Sequence, residues 1–171
     1  NQFELDEGDP FNDLLANKSK NNIRNLNFFK SVETSINDGT TENSKIINIT
    51  VKEKPTGEIM AGAGAGTEGG TLQFGIKENN YLGRGITLNA DAKLSADTFK
   101  GKFSISNPNY NNSDKKVFAS LQASETDKLK DYGYKTNKTG FELGTSFEYF
   151  DDFFLSLSSK NFIEKIETDS T

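Results

Sequence analysis

Gly64-Ala65-Gly66-Thr67-Glu68-Gly69 matches the G-x-G-x-x-G pattern that can cradle a pyrophosphate. That chemistry needs a strand before the glycines and a helix after them, whose free N–H groups hold the anion. Thr71 to Lys77 instead alternates in polarity and has no helical face, so the glycines read as strand and hairpin. The acidic side chains are no better placed for acid–base work. Glu142 and Glu148 lie on one strand face roughly 20 Å apart at the strand rise, too far for a glycosidase pair. Asp151-Asp152 reads as a solvated turn. Lys100 and Lys102 share a face with Asp91 and Lys93, which reads as charge pairing between neighbouring strands. The chain has no Cys and no His, which excludes disulfides, thiolate zinc sites, thiol nucleophiles and the Ser-His-Asp triad. No catalytic residue, metal site or cofactor is expected.

The elements that carry these residues are mostly strands. The 171 residues amount to one domain or two small ones. Only 33% are hydrophobic, yet 14 are Phe and 5 are Tyr, which points to extended structure with one apolar face. Asp9-Pro10 predicts the start of a helix over 11–26, with Phe11, Leu14, Leu15, Ile23 and Leu26 at helical spacing. A hairpin follows, with Val32, Thr34 and Ile36 in one arm and Ile47, Ile49 and Val51 in the other. From residue 55 the chain is a series of alternating segments at 71–77, 86–94, 98–106, 116–124, 140–149 and 153–160. Phe118 breaks the polar face of its segment. The stretch Gly57-Glu58-Ile59-Met60-Ala61-Gly62-Ala63-Gly64-Ala65-Gly66 has strand length but almost no side-chain mass, so it reads as a strand or as a flexible linker.

Alternation alone does not say which face is the core. A soluble sandwich turns its apolar face inward, and a membrane barrel turns it outward to lipid. The connections favour the barrel. Asn79 to Gly85 and Asn107 to Lys115 are Asn-, Gly- and Pro-rich with Tyr81 and Tyr110 beside them, and Tyr149, Phe150, Phe153 and Phe154 flank Asp151-Asp152 like an interfacial belt. Glu125–Thr139 reads as a longer polar loop at the opposite end. No apolar run approaches the ~20 residues of a membrane helix, which leaves barrel strands of ~9–11 residues open. A net charge of −5 argues against nucleic acid as a partner.

Three elements resemble the POTRA-to-barrel junction of BamA-type outer-membrane assembly factors: Val51-Lys-Glu-Lys-Pro-Thr-Gly-Glu58, Gly62-Ala-Gly-Ala-Gly-Thr-Glu-Gly-Gly70, and Glu78-Asn79-Asn80-Tyr81-Leu82-Gly83-Arg84-Gly85. Upstream, Glu7-Gly-Asp-Pro-Phe11 and Asn22-Ile-Arg-Asn-Leu-Asn-Phe-Phe-Lys-Ser-Val32 are similar to the second half of that family's last POTRA domain, and downstream Phe103-Ser-Ile-Ser-Asn-Pro108 is similar to its fourth strand and turn. The resemblance implies a mainly β chain: residues 1–54 as the C-terminal part of a periplasmic POTRA domain, and 55–171 as about seven antiparallel strands of a transmembrane β-barrel. It implies assembly and insertion of β-barrel proteins into the outer membrane, without enzymatic activity. Residues 57–66 would then be the lateral-gate strand on which client strands pair, and Asn80, Tyr81, Leu82, Gly83, Arg84 and Gly85 a periplasmic turn motif. The implied partners are nascent outer-membrane proteins, periplasmic chaperones, accessory assembly lipoproteins and the lipid bilayer. TamA-like and two-partner secretion transporters share the architecture, and a solute-passing porin-type barrel is a further alternative. The chain departs from the family pattern in reading as if without the first POTRA strand and most of the first POTRA helix, in reading as a fragment that stops before a closing strand, and in carrying alanines where aromatics are common in the first barrel strand.

Overall fold

The computed structural model of the protein describes residues 2–41, 44–66 and 69–169. Thr67 and Glu68 of the G-x-G-x-x-G match lie outside them. The chain divides into two compact units, Asn1–Thr56 and Gly57–Thr171.

In the first unit a helix, α1 (Asp13–Asn25), precedes a hairpin of β1 (Phe29–Asp38) and β2 (Lys45–Glu53). The helix begins two residues later than Asp9-Pro10 suggests. Its cap is Asn12, whose side chain accepts from the N–H groups of Leu14 (2.9 Å) and Leu15 (3.3 Å), satisfying two orphan donors of the first turn. Asp9 instead accepts from the Asp6 N–H at 3.0 Å in the preceding turn. The buried face agrees with the expected one at Ile23, and Leu15 and Leu26 are half-buried, but it departs elsewhere. Ala16, Ser19 and Ile23 are buried, whereas Leu14 is 80% exposed and Phe11 lies outside the helix. Ser19 is tolerated inside because its hydroxyl donates to the Leu15 carbonyl and accepts from the Glu4 N–H. Glu4 also bonds Lys18 (3.2 Å) and Asn22 (3.1 Å), and these contacts, Lys18 foremost, hold its carboxyl below the usual carboxylate range. Val32, Thr34 and Ile36 face Val51, Ile49 and Ile47 across the hairpin, so the two apolar rows meet.

The second unit is one antiparallel meander of seven strands: β3 (Gly57–Gly66), β4 (Gly69–Tyr81), β5 (Ile86–Ser95), β6 (Thr98–Asn107), β7 (Lys115–Lys128), β8 (Tyr134–Phe150) and β9 (Phe153–Thr168). The Glu125–Thr139 loop is a correction. β7 and β8 stay paired through Glu125↔Asn137 and Lys128↔Tyr134, leaving only a single helical turn, α2 (Leu129–Tyr132), and Gly133 between them. These polar residues remain in the ladder because each strand satisfies the other's backbone groups, whatever the side chains. Lys135 bridges Glu125 (2.8 Å) and Asp127 (3.2 Å) across the extension.

The apolar face is the exposed one. Leu121 is 60% exposed while Ser120 beside it, on the other face, is 7% exposed. A single-layer sheet shields only its concave side, so the polar face is concave and the apolar face convex. Large side chains on the concave face sit directly opposite glycines: Phe118 opposite Gly144, Phe162 opposite Gly140 and Met60 opposite Gly75. This explains how Phe118 fits on a polar face. A Cβ on Gly140 would lie 2.5 Å from the Asn161 carbonyl oxygen and 2.7 Å from the Phe162 Cβ. Backbone blocks it, so Gly140→Ala should destabilise the full-length protein by about 1–3 kcal/mol. Its denaturation midpoint should fall; an unchanged midpoint would contradict this packing.

The apolar band is oblique to the hydrogen-bonded rows. Phe74, at the centre of the band on β4, leads through Ala92, Gly101 and Ala123 to Thr139 on β8. The band on β8, spanning Phe141 to Tyr149, is centred about six residues further along. Six residues over four strands, at ~3.3 Å rise and ~4.8 Å spacing, correspond to a strand tilt of about 45°. A ten-residue strand such as β6 then covers about 23 Å of height, close to the ~25 Å apolar band of a membrane barrel. Phe103 falls at mid-height.

Candidate functional site

The residues singled out from sequence are brought to one edge and one end of the sheet. β3 pairs with β4 from Gly57↔Glu78 to Gly66↔Gly69 without a bulge, and among the described residues nothing pairs with its other edge. The linker reading of 57–66 is thereby replaced by a regular ten-residue strand.

The register fixes where the strand's backbone groups point. Gly66 pairs with Gly69 across a two-residue connection, and such a hairpin closes on a hydrogen-bonded pair. Alternation then commits Glu58, Met60, Gly62, Gly64 and Gly66 to β4. Gly57, Ile59, Ala61, Ala63 and Ala65 turn their N–H and C=O groups to the open edge. The same alternation sorts the side chains. Ile59, Ala61 and Ala63 lie on the convex face opposite Ile76, Phe74 and Leu72, and Gly62 and Gly64 lie on the concave face. The open edge therefore offers backbone groups flanked by methyl groups and hydrogens. Of its side chains only Ile59, 84% exposed, has bulk on the convex side.

The turn at 80–85 closes the end from which β3 starts. Asn80 and Tyr81 are the last residues of β4, and Leu82, Gly83, Arg84 and Gly85 form the turn. The Asn80 carbonyl accepts from Gly83 N–H (2.9 Å), and its side-chain oxygen accepts from Gly85 N–H (2.7 Å). Leu82, Gly83 and Gly85 all have positive φ, at 57°, 69° and 66°. Glycine meets this demand freely at two of the positions, and Leu82 meets it at a strain cost. Sequence reasoning missed the role of Glu78, whose carboxylate accepts from the Asn80 N–H at 2.7 Å. Glu148 does the same for the Asp152 N–H at 2.7 Å, where Asp152 has φ 62°. Both glutamates brace turns by accepting from a backbone N–H. A Glu shortly before an Asn- or Asp-led turn was the available signal. Asn80→Ala should cost the full-length protein about 1 kcal/mol, because the Gly85 N–H loses its acceptor; a chemical denaturation curve would show it, and an unmoved midpoint would deny Asn80 that role.

At this same end Tyr149, Phe150 and Phe153 cluster, with ring centroids 4.5 Å apart for Tyr149–Phe150 and 6.4 Å for Phe150–Phe153. No group of three or more acidic side chains capable of holding a metal occurs among the described residues.

Residues 1–54 match the POTRA family model, described as a surface antigen variable number repeat. Over 98% of its length the chain superposes on the crystal structure of BamA from Haemophilus ducreyi lacking POTRA domains 1–3, with a TM-score of 0.84 and 20% sequence identity. It spans 32% of that chain. The protein thus has the fold of a BamA-type fragment: part of a POTRA domain followed by seven antiparallel strands of a β-barrel wall.

Proposed function

We propose that the protein is an outer-membrane assembly factor whose β3 edge lends its backbone to incoming strands of client β-barrel proteins. Residues 57–171 would lie in the outer membrane and 1–54 in the periplasm, where nascent clients, chaperones and accessory lipoproteins are met. The carrying observation is the undefended edge. Long exposed edges are normally blunted by lysine, proline, a bulge or short length. β3 has none of these over its ten residues, and Glu58 is its single charge. In a bilayer an unpaired backbone group costs several kcal/mol, so a client strand that pairs with this edge avoids exposing its own groups to lipid. No group with a shifted pKa is needed.

Cysteines at Ala61 or Ala63 in the full-length protein should crosslink to the terminal strand of a stalled client. A cysteine at Ala119, on β7 with partners on both sides, should not. Capture at Ala119 but not at Ala61 or Ala63 would sink the template reading. Crosslinks confined to concave-face positions such as Ser120 would favour the related POTRA-barrel transporters, which pass clients through the barrel.

A further inference from the structure

The concave face carries a feature that strand templating does not use. Four lysines from three strands, Lys93 of β5, Lys100 and Lys102 of β6 and Lys138 of β8, line one concavity together with Asp91. Register places Lys93 directly opposite Lys100, and Lys100 two strands from Lys138 in the same row through Ser124. Like charges directly opposite destabilise a ladder. Asp91 lies opposite Lys102, and Lys138 is shared between Glu164 at 3.8 Å and the Phe162 ring at 3.8 Å. Among the described residues, Lys93, Lys100 and Lys102 have no carboxylate within ion-pair distance. This basic cluster occurs in a chain with 25 acidic and 20 basic side chains, so it is not a reflection of overall charge.

We infer that this basin binds a small multivalent oxyanion of the phosphate class. The wall presents ammonium groups, with Gln122 and Ser124 able to donate beside them, and a concave low-dielectric surface focuses the positive field. An anion between Lys93 and Lys100 converts their repulsion into two charge-assisted hydrogen bonds. The concave face is turned away from lipid, so the ligand is a soluble anion rather than a phospholipid headgroup. The site is independent of the template role of β3.

The test uses the full-length protein in detergent and sodium pyrophosphate as the probe, with sodium chloride at matched ionic strength as the reference. Pyrophosphate should raise the thermal unfolding midpoint above the chloride reference and bind measurably by titration calorimetry. Lys93→Gln with Lys100→Gln should weaken pyrophosphate binding at least about tenfold. Lys160→Gln, on the same face opposite Glu142, should leave it unchanged. If the double variant does not fold, Lys102→Gln alone should still weaken binding. Equal effects of pyrophosphate and chloride, or undiminished binding in a folded basin variant, would overturn the site. Binding of a poly-glutamate peptide without binding of pyrophosphate would overturn the small-anion assignment.

Discussion

Proline at Ala61 or Ala63 should abolish client assembly while the barrel itself still folds. Proline removes the N–H and fixes φ near −65°. At these two positions the lost N–H is one that the register directs to the open edge, so the β3–β4 ladder keeps its bonds. The same substitution at Gly62 removes a donor to β4 and should damage the barrel. The contrast separates a template role from a folding role. Heat-modifiable migration on a gel would report barrel folding, and the yield of assembled client would report function. The expected pattern is a folded, inactive protein for Ala61→Pro and Ala63→Pro, and an unfolded or strongly destabilised one for Gly62→Pro. Normal client assembly in Ala61→Pro and Ala63→Pro would refute the edge as template.

Phe103→Arg should cost roughly 2–4 kcal/mol in a bilayer, the penalty for a cation at mid-depth on the lipid face of a barrel. Phe103 is on the convex face opposite Ala90 and Leu121, at the height where the oblique apolar band is centred. Ser104→Arg places the same charge one residue along on the concave face, opposite Asn89 and Ser120 and away from lipid, and should cost clearly less than Phe103→Arg. Folding titrations of the full-length protein into lipid vesicles would compare them. Equal costs, or a larger cost for Ser104→Arg, would reverse the assignment of the two faces.

The period-two alternation made the strand cores legible, because burial on one face writes itself into every second residue. It was blind to strand ends. Thr126, Asp127 and Lys135 pair without any apolar partner, since the ladder needs only backbone groups, and β7 and β8 therefore ran past the predicted loop boundary. Phe118 looked like a violation because the compensating space belongs to Gly144 on another strand, a long-range relation that no local pattern records. The start of α1 was misplaced because Asp9 and Asn12 are both competent caps, and the Asp6 N–H took Asp9. For the candidate site, composition alone marked 57–66 as unusual. Which of its backbone groups face outward depends on hairpin phase, and that became readable only with the register Gly66↔Gly69.

The strand order of the second unit has a kinetic consequence. Every ladder from β3 to β9 joins sequence neighbours, so each closes a short connection and costs little loop-closure entropy. The wall can therefore grow one hairpin at a time, with low contact order for an all-β structure. The outer edge of β3 is the exception. The element before it in the chain, β2, belongs to the other unit's sheet, so any partner for this edge comes from a strand remote in sequence or from another chain. A remote strand of the same chain must close a long loop at a cost that rises by about 0.6 kcal/mol for each doubling of length. Such a pairing would be the last to form. On the proposed function, a client strand arriving at this edge would compete only with that entropically penalised pairing.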